Sequence, residues 1–322
     1  MSREGAGRGD GRGDAGEPAG VDPLGASFEV SAPIDLRLTL APLRHGRSDP
    51  TIRADRNGVW LGRRTAAGPA TLRLWTEGTD ATVHAQAWGP GSTLALEAVP
   101  GLAGLLDDPS ALVAQHPVVR DIQRRLPGLR LPRTGQLLPS LIAAIVEQKV
   151  TAGQAHDSYM ALVRRLGEPA PGPAGLLLTP SASSLAALPY YEFHPMGLER
   201  RRAELISRVA ALEARIESLA TAAPAEAYAQ LQKIPGIGPW TAAETTFRAF
   251  GDPDAVSLGD AHLPDLVAWA LAHEARGDDT RMLELLEPYQ GQRGRLIRLL
   301  EAAGIMPPRF GPRFSPRRIG RI

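Results

Sequence analysis

The chain has 322 residues, 43% of them apolar, and a formal net charge of +1. It contains no cysteine, which excludes disulfides, iron–sulfur clusters, thiolate zinc sites and a cysteine nucleophile. Met1 to Val21 lacks the apolar core of a signal peptide, and no apolar run approaches the roughly 20 residues of a membrane helix, so a cytoplasmic protein away from the membrane is expected.

Residues 1–27, rich in Gly, Arg, Asp and Glu, read as a disordered tail. Residues 28–106 read as a small antiparallel β-sheet domain with one or two helices. Asp35 to Leu40, Thr71 to Trp75 and Ala81 to Ala85 alternate apolar and polar residues, the period of a half-buried strand. Asn57-Gly58 marks a hairpin turn, and Leu94 to Leu106 adds a helix. From residue 107 the period becomes helical. Asp108 opens a helix that His116-Pro117 breaks, and Val118 to Leu126 forms the next. An apolar stripe from Leu137 to Val146 and another around Tyr159 follow. A long amphipathic helix spans Leu198 to Leu219, and further helices cover Pro224 to Gln232, Pro239 to Phe250, Leu263 to His273, Thr280 to Leu286 and Gly291 to Ala303. Residues 107–307 thus form a helical domain, and residues 308–322 a basic C-terminal tail.

Positive charge is almost all arginine, since Lys149 and Lys233 are the two lysines. It clusters at Arg120, Arg124, Arg125, Arg130 and Arg133, at Arg200 to Arg202, and at Arg309, Arg313, Arg317, Arg318 and Arg321. Such patches suit phosphates or simply face solvent.

The most informative stretch runs from Leu231 to Ala242: two helices joined by a short turn holding Gly236 and Gly238, with Pro239 opening the second helix. Glycine permits positive φ and close backbone approach, and the amides at the helix start form an anion site that reads no base. An ordinary helix–helix turn has the same spacing.

This stretch resembles the hairpin of the helix-hairpin-helix DNA glycosylases. Val256 to His262 is similar to the family's aspartate segment, and Ile145 to Val150 and Leu198 to Ala203 resemble two further family segments. Pro127 to Pro132 resembles the AlkA-type 3-methyladenine glycosylases, which also carry an N-terminal β-domain. The resemblance covers about 107–305 well and 28–106 only in architecture. It implies an α+β fold: an all-helical, two-lobed helix-hairpin-helix core with a small N-terminal antiparallel sheet. It implies Asp260 as the catalytic carboxylate, a role compatible with capping the helix that follows. Gly236 and Gly238, with Thr241 nearby, match the family's DNA-phosphate contacts. Val146 or its neighbours Glu147 and Gln148 match the region that wedges into the duplex, with core packing as the plain alternative for Val146. The carbonyls of Gln232, Ile234 and Ile237 match a site for a monovalent cation, K⁺ or Na⁺, and no other cofactor is required. Trp240 matches a base-pocket tryptophan, or packs the hairpin as core. Glu244 stands where the family has a pocket tyrosine, and Tyr190, Tyr191, Phe193 or Tyr289 are the aromatics available to complete the pocket, Tyr191 being the one selected. Family members that also nick the strand carry a lysine where this chain has Trp240; Lys149 is expected on a distant helix and Lys233 precedes the turn.

The resulting expectation is a monofunctional glycosylase, acting as a monomer on double-stranded DNA, that removes alkylated purines and has no lyase activity. Two other readings fit the same residues: a non-catalytic module that senses distorted duplex, and a glycosylase for deaminated or oxidised bases.

Overall fold

The computed structural model describes residues 22–77 and 82–308. The expected C-terminal tail, apart from its first residue, and most of the N-terminal one lie outside the described residues. Five antiparallel strands come first: β1 (Leu24–Glu29), β2 (Ile52–Asp55), β3 (Gly58–Thr65), β4 (Gly68–Trp75) and β5 (Thr82–Trp88), in the order β1-β5-β4-β3-β2. β1 begins at Leu24, so the ordered β-region starts ahead of the expected boundary at residue 28. Alternation along β3, β4 and β5 places Val59, Leu61, Leu72, Leu74, Val83 and Ala85 on one buried face.

That face packs against α1 (Leu36–Leu40), α2 (Ser92–Glu97) and α3 (Val99–Leu102). α1 corrects a sequence expectation, because Asp35 to Leu40 alternates like a strand. Asp35 Oδ1 accepts hydrogen bonds from the amides of Arg37 at 2.9 Å and Leu38 at 3.0 Å. This N-cap starts a helix whose Leu36 and Leu40, one turn apart, are both buried. In a segment this short, capping outweighs a weak period-two signal.

The opposite face of the sheet is covered from the helical part of the chain. Trp60 and Trp88 pack with Ala170, Ala174, Leu176 and Leu178. Leu177 donates its amide to the Pro50 carbonyl at 2.8 Å, and Arg64 Nε donates to the Thr179 carbonyl at 2.7 Å.

The helices are α4 (Pro117–Arg125), α5 (Leu137–Glu147), α6 (Ala152–Leu166), α7 (Ala182–Ala187), α8 (Arg200–Ala211), α9 (Glu213–Glu217), α10 (Pro224–Leu231), α11 (Pro239–Phe250), α12 (Leu263–Ala272), α13 (Asp279–Leu286) and α14 (Arg293–Ala302). Two further corrections concern helices. The single helix expected over Leu198 to Leu219 breaks at Leu212, where ψ rises to 16°. The helix expected from Asp108 is a single 3₁₀ turn, Pro109–Ala111, because Asp108 caps the Ser110 amide and the chain then extends at Leu112.

These helices divide into two lobes with separate cores. One gathers apolar side chains of α5, α6, α8, α10 and α11, and the other those of α4, α12, α13 and α14. Residues 251–262 connect α11 in the first lobe to α12 in the second. Among the described residues no helix is long and apolar enough to cross a membrane.

Candidate active site

The turn between α10 and α11 is a tight hairpin. Lys233 and Ile234 donate their amides back to Gln230 and Leu231, and Ile237 donates to the Ile234 carbonyl at 3.0 Å. Gly236 sits at φ +101°, where an L side chain is strained, and an added Cβ would stand 3.1 Å from the Leu205 side chain. Gly238 is the N-cap of α11, with Pro239 opening the helix and open space where a Cβ would project. Neither glycine amide meets a protein acceptor among the described residues, so both remain available to an anion beside the positive end of α11.

Two side chains fix the hairpin's outer edge. Arg208 Nη1 donates to the Pro235 carbonyl at 3.0 Å. Gln148 Nε2 donates to Thr241 Oγ1 at 2.8 Å and to the Gly236 carbonyl at 3.2 Å. Gln148 and Thr241, both expected at the DNA interface, thus brace the hairpin against the end of α5. Lys149 follows directly, exposed and at φ 55°. It therefore lies beside the hairpin and not on a distant helix, which corrects the expectation.

The structure brings Trp240 and Asp260 together. Trp240 is the second residue of α11, and its indole Nε1 donates to Asp260 Oδ2 at 2.9 Å. Asp260 Oδ1 accepts from the amides of His262 at 2.7 Å and Leu263 at 3.0 Å, at the start of α12. One oxygen thus caps the second lobe and the other faces the first. All three donors are formally neutral N–H groups, and the half-exposed carboxylate meets no guanidinium among the described residues.

The loop bearing Asp260 is held at several points. Ser257 Oγ donates to Glu244 Oε1 at 2.6 Å, and the Gly259 amide donates to Asp279 Oδ2 at 2.8 Å. Leu258 and Gly259 form a turn, with Gly259 at φ +84°. That left-handed residue directs the next peptide toward α12.

Several expected site residues are corrected. Val146 is fully buried in the first lobe's core, and its carbonyl accepts from Arg202 Nη1 at 2.6 Å. A side chain with no exposed surface cannot enter a base stack unless the end of α5 unfolds. Glu244 is 6% exposed and does not line an open base pocket. Arg298 lies 2.8 Å from one of its oxygens and Arg248 3.3 Å from the other. Burial pushes its carboxyl up, but the two guanidiniums outweigh this and hold it below the ordinary range. Tyr191 is 58% exposed, in edge contact with Tyr190 on the 3₁₀ turn Tyr190–Met196, and takes no part in the Trp240–Asp260 pair. Phe193 and Tyr289 are buried in cores. Two arginines of the basic patches are also structural: Arg130 is buried against the Pro33 carbonyl, and Arg202 is buried between Glu199, Gly197 and Val146.

Sequence reasoning missed the ionic cluster behind the site. His45 lies 3.3 Å from Glu147, Glu147 is 2.8 Å from Arg248, and the chain of pairs continues through Glu244 and Arg298 to Glu301. Burial raises the Glu147 carboxyl, yet Arg248 and His45 bring it down to about 2. The signal available in the sequence was Glu244 and Arg248, spaced one helical turn apart.

No family model matches the chain. It is 32% identical over 165 residues to a Mycobacterium tuberculosis protein described as a probable bifunctional transcriptional activator/DNA repair enzyme AlkA. That match covers 48% of this chain and 32% of the relative, so the chain matches about a third of the length of the curated relatives. In structure it is similar to a 3-methyladenine DNA glycosylase from Archaeoglobus fulgidus, with a TM-score of 0.72 at 18% identity, covering 86% of this chain and 97% of the other. It is also similar to an 8-oxoguanine glycosylase/lyase of Clostridium acetobutylicum in complex with double-stranded DNA, with a TM-score of 0.64 at 12% identity, covering 88% and 98%. At these identities, below 25%, the likeness to the two glycosylases is one of fold. The chain's sequence similarity is to the AlkA type.

Proposed function

We propose that this chain is a monofunctional base-excision DNA glycosylase that flips alkylated purines, of the 3-methyladenine kind, out of duplex DNA and removes them hydrolytically. The observation that carries this reading is the 2.9 Å contact between Trp240 Nε1 and Asp260 Oδ2, at the start of the helix that leaves the glycine hairpin.

The hairpin amides of Gly236 and Gly238 take a backbone phosphate, a contact independent of sequence. A base inside the duplex is out of reach, so the nucleotide rotates into the site at a cost of a few kcal/mol. An indole N–H lies in the ring plane, so its bond to Asp260 sets the ring edge-on to the carboxylate. A base stacked on the ring face then holds its sugar next to Asp260. Cleavage of the N-glycosidic bond places positive charge on the sugar, which the Asp260 carboxylate stabilises while orienting water on the opposite side. A cationic alkylpurine stacks well on an electron-rich indole and departs with little acid help. Trp240 stands where strand-nicking relatives carry a lysine, which supports hydrolysis without lyase chemistry.

Neutral main-chain oxygens suit a monovalent cation. The Ile234 carbonyl retains a lone pair beyond its bond to Ile237, so Gln232, Ile234 and Ile237 fit K⁺ or Na⁺, whose charge would reinforce phosphate binding at the hairpin. The chain acts as a monomer on double-stranded DNA in this reading.

The test is a panel of duplexes carrying alkylated, deaminated or oxidised bases, each assayed for free base and for borohydride-trapped adduct. Release of alkylated purine with no trapped adduct is expected. Release of oxidised or deaminated bases alone would reassign the substrate. A trapped adduct, for which exposed Lys149 is the nearby amine, would overturn the hydrolytic assignment. Tight duplex binding with no release of any base would make the chain a lesion-sensing module.

A further inference from the structure

A second polar site lies away from Asp260, where the β-sheet meets the helical domain. A cavity of about 90 Å³ is lined by His45 and Arg63 from the β-region, Thr134, Gln136 and Ser140 near the start of α5, and Arg248 from α11. Both arginines are more than nine-tenths buried, Arg63 at 7% and Arg248 at 8% exposure. Arg63 Nη2 donates to the Thr134 carbonyl at 2.9 Å, while its Nε has no partner among the described residues. Arg248 Nη2 is shared between Glu147 and Glu244, while its Nε and Nη1 have no partner among the described residues.

Three unpartnered donor nitrogens on two buried cations therefore belong to the lining of one cavity, and no carboxylate among the described residues lines it. Each unsatisfied buried donor costs about 1–3 kcal/mol, more when it is charged. Water would satisfy the donors but leave the Arg63 charge uncompensated, since its one hydrogen-bond partner among the described residues is a neutral carbonyl. An anion answers both requirements, and the volume admits only a few water-sized groups. We infer that Arg63 and Arg248 form a binding site for a small inorganic anion that clamps the β-sheet to the helices carrying the hairpin. Burial lowers the Arg63 guanidinium to about 10, so it remains charged at neutral pH and attracts the anion. The site is independent of the glycosylase reading.

The experiment measures the thermal unfolding midpoint of the full chain against rising chloride or inorganic phosphate, with ionic strength held constant by a bulky sulfonate. The wild type is expected to show a saturating rise of a few degrees with at least one of the two anions, as a ligand bound only to the native state requires. Arg63→Met removes the charge and the donor together, and its midpoint should no longer respond. Should Arg63→Met fail to fold, Ser140→Leu fills the cavity from the α5 side with Arg63 retained, and it too should lose the rise. A rise that persists unchanged in the variants, or a wild type that responds to neither anion, overturns the inference.

Discussion

At the scale of single residues, Trp240 contributes both a ring and a donor, and the two are separable. Trp240→Phe keeps an aromatic surface but removes the N–H that bonds Asp260 at 2.9 Å. Hydrogen bonds to charged groups contribute about 1.5–3 kcal/mol, so single-turnover excision should fall roughly tenfold to a hundredfold. Affinity for undamaged duplex should not change, and a matched pair of rate and binding measurements checks this. Gly236 acts through the backbone. At φ +101° an alanine is strained by about 1–3 kcal/mol. Gly236→Ala should therefore weaken binding to lesion and undamaged duplexes by the same factor, measurable by fluorescence anisotropy. A selective loss for the lesion duplex would contradict phosphate gripping. That Trp240 and Asp260 belong to one constellation was legible from the hairpin motif and the aspartate segment that follows it. Glu244 was not, because the partner that removes it from the pocket, Arg298, lies 54 residues further along the chain. Val146 shows the same limit, since an apolar residue at the end of a helix looks alike whether its side chain points inward or outward.

At the scale of elements, the pairing of Trp240 with Asp260 depends on how α11 is seated. Its outer end carries Trp240, and its interior carries Glu244 and Arg248 into the ionic cluster. Breaking a buried ion pair by removing one partner costs about 3–5 kcal/mol. Glu147→Gln leaves Arg248 with Glu244 alone and should lower stability to urea at pH 7. The pH dependence follows from the direction of the shift. Glu147 is held at about 2 in the folded chain, below the roughly 4.3 of an unfolded glutamate. Its stabilisation is therefore fully present above the unfolded value and is lost as pH falls toward 2. Urea midpoints of wild type and Glu147→Gln should be well separated at pH 7 and draw steadily together as pH falls from about 4 toward 2; a constant gap would show that Glu147 acts through packing and not through charge. Most helices were legible from their apolar period, and α11 runs from Pro239 to Phe250 as the proline and Gly251 imply. The short α1 was not, because five residues carry too little periodicity to outweigh their alternation.

At the scale of the whole molecule, the site exists because two lobes meet at one carboxylate. Asp260 Oδ1 belongs to the start of α12 and Oδ2 to Trp240 of α11, and Ser257 and Gly259 tie the intervening loop to both sides. The sheet is fastened to the first lobe through Trp60 and the segment around Leu176 and Leu178, contacts that sequence alone does not reveal because they join residues more than 100 positions apart. The lobed helical core with its appended sheet was legible, since the change of period near residue 107 separates them; their mutual docking was not. The central claim is that the converging lobes hold Asp260 as the charge beside the sugar. It is tested most directly by single-turnover release of methylated purines from duplex DNA by the wild type and by Asp260→Asn, with duplex affinity measured in parallel. The substitution should slow release by about two to three orders of magnitude while affinity is retained. Release at the wild-type rate by the folded, DNA-bound Asp260→Asn chain would contradict it.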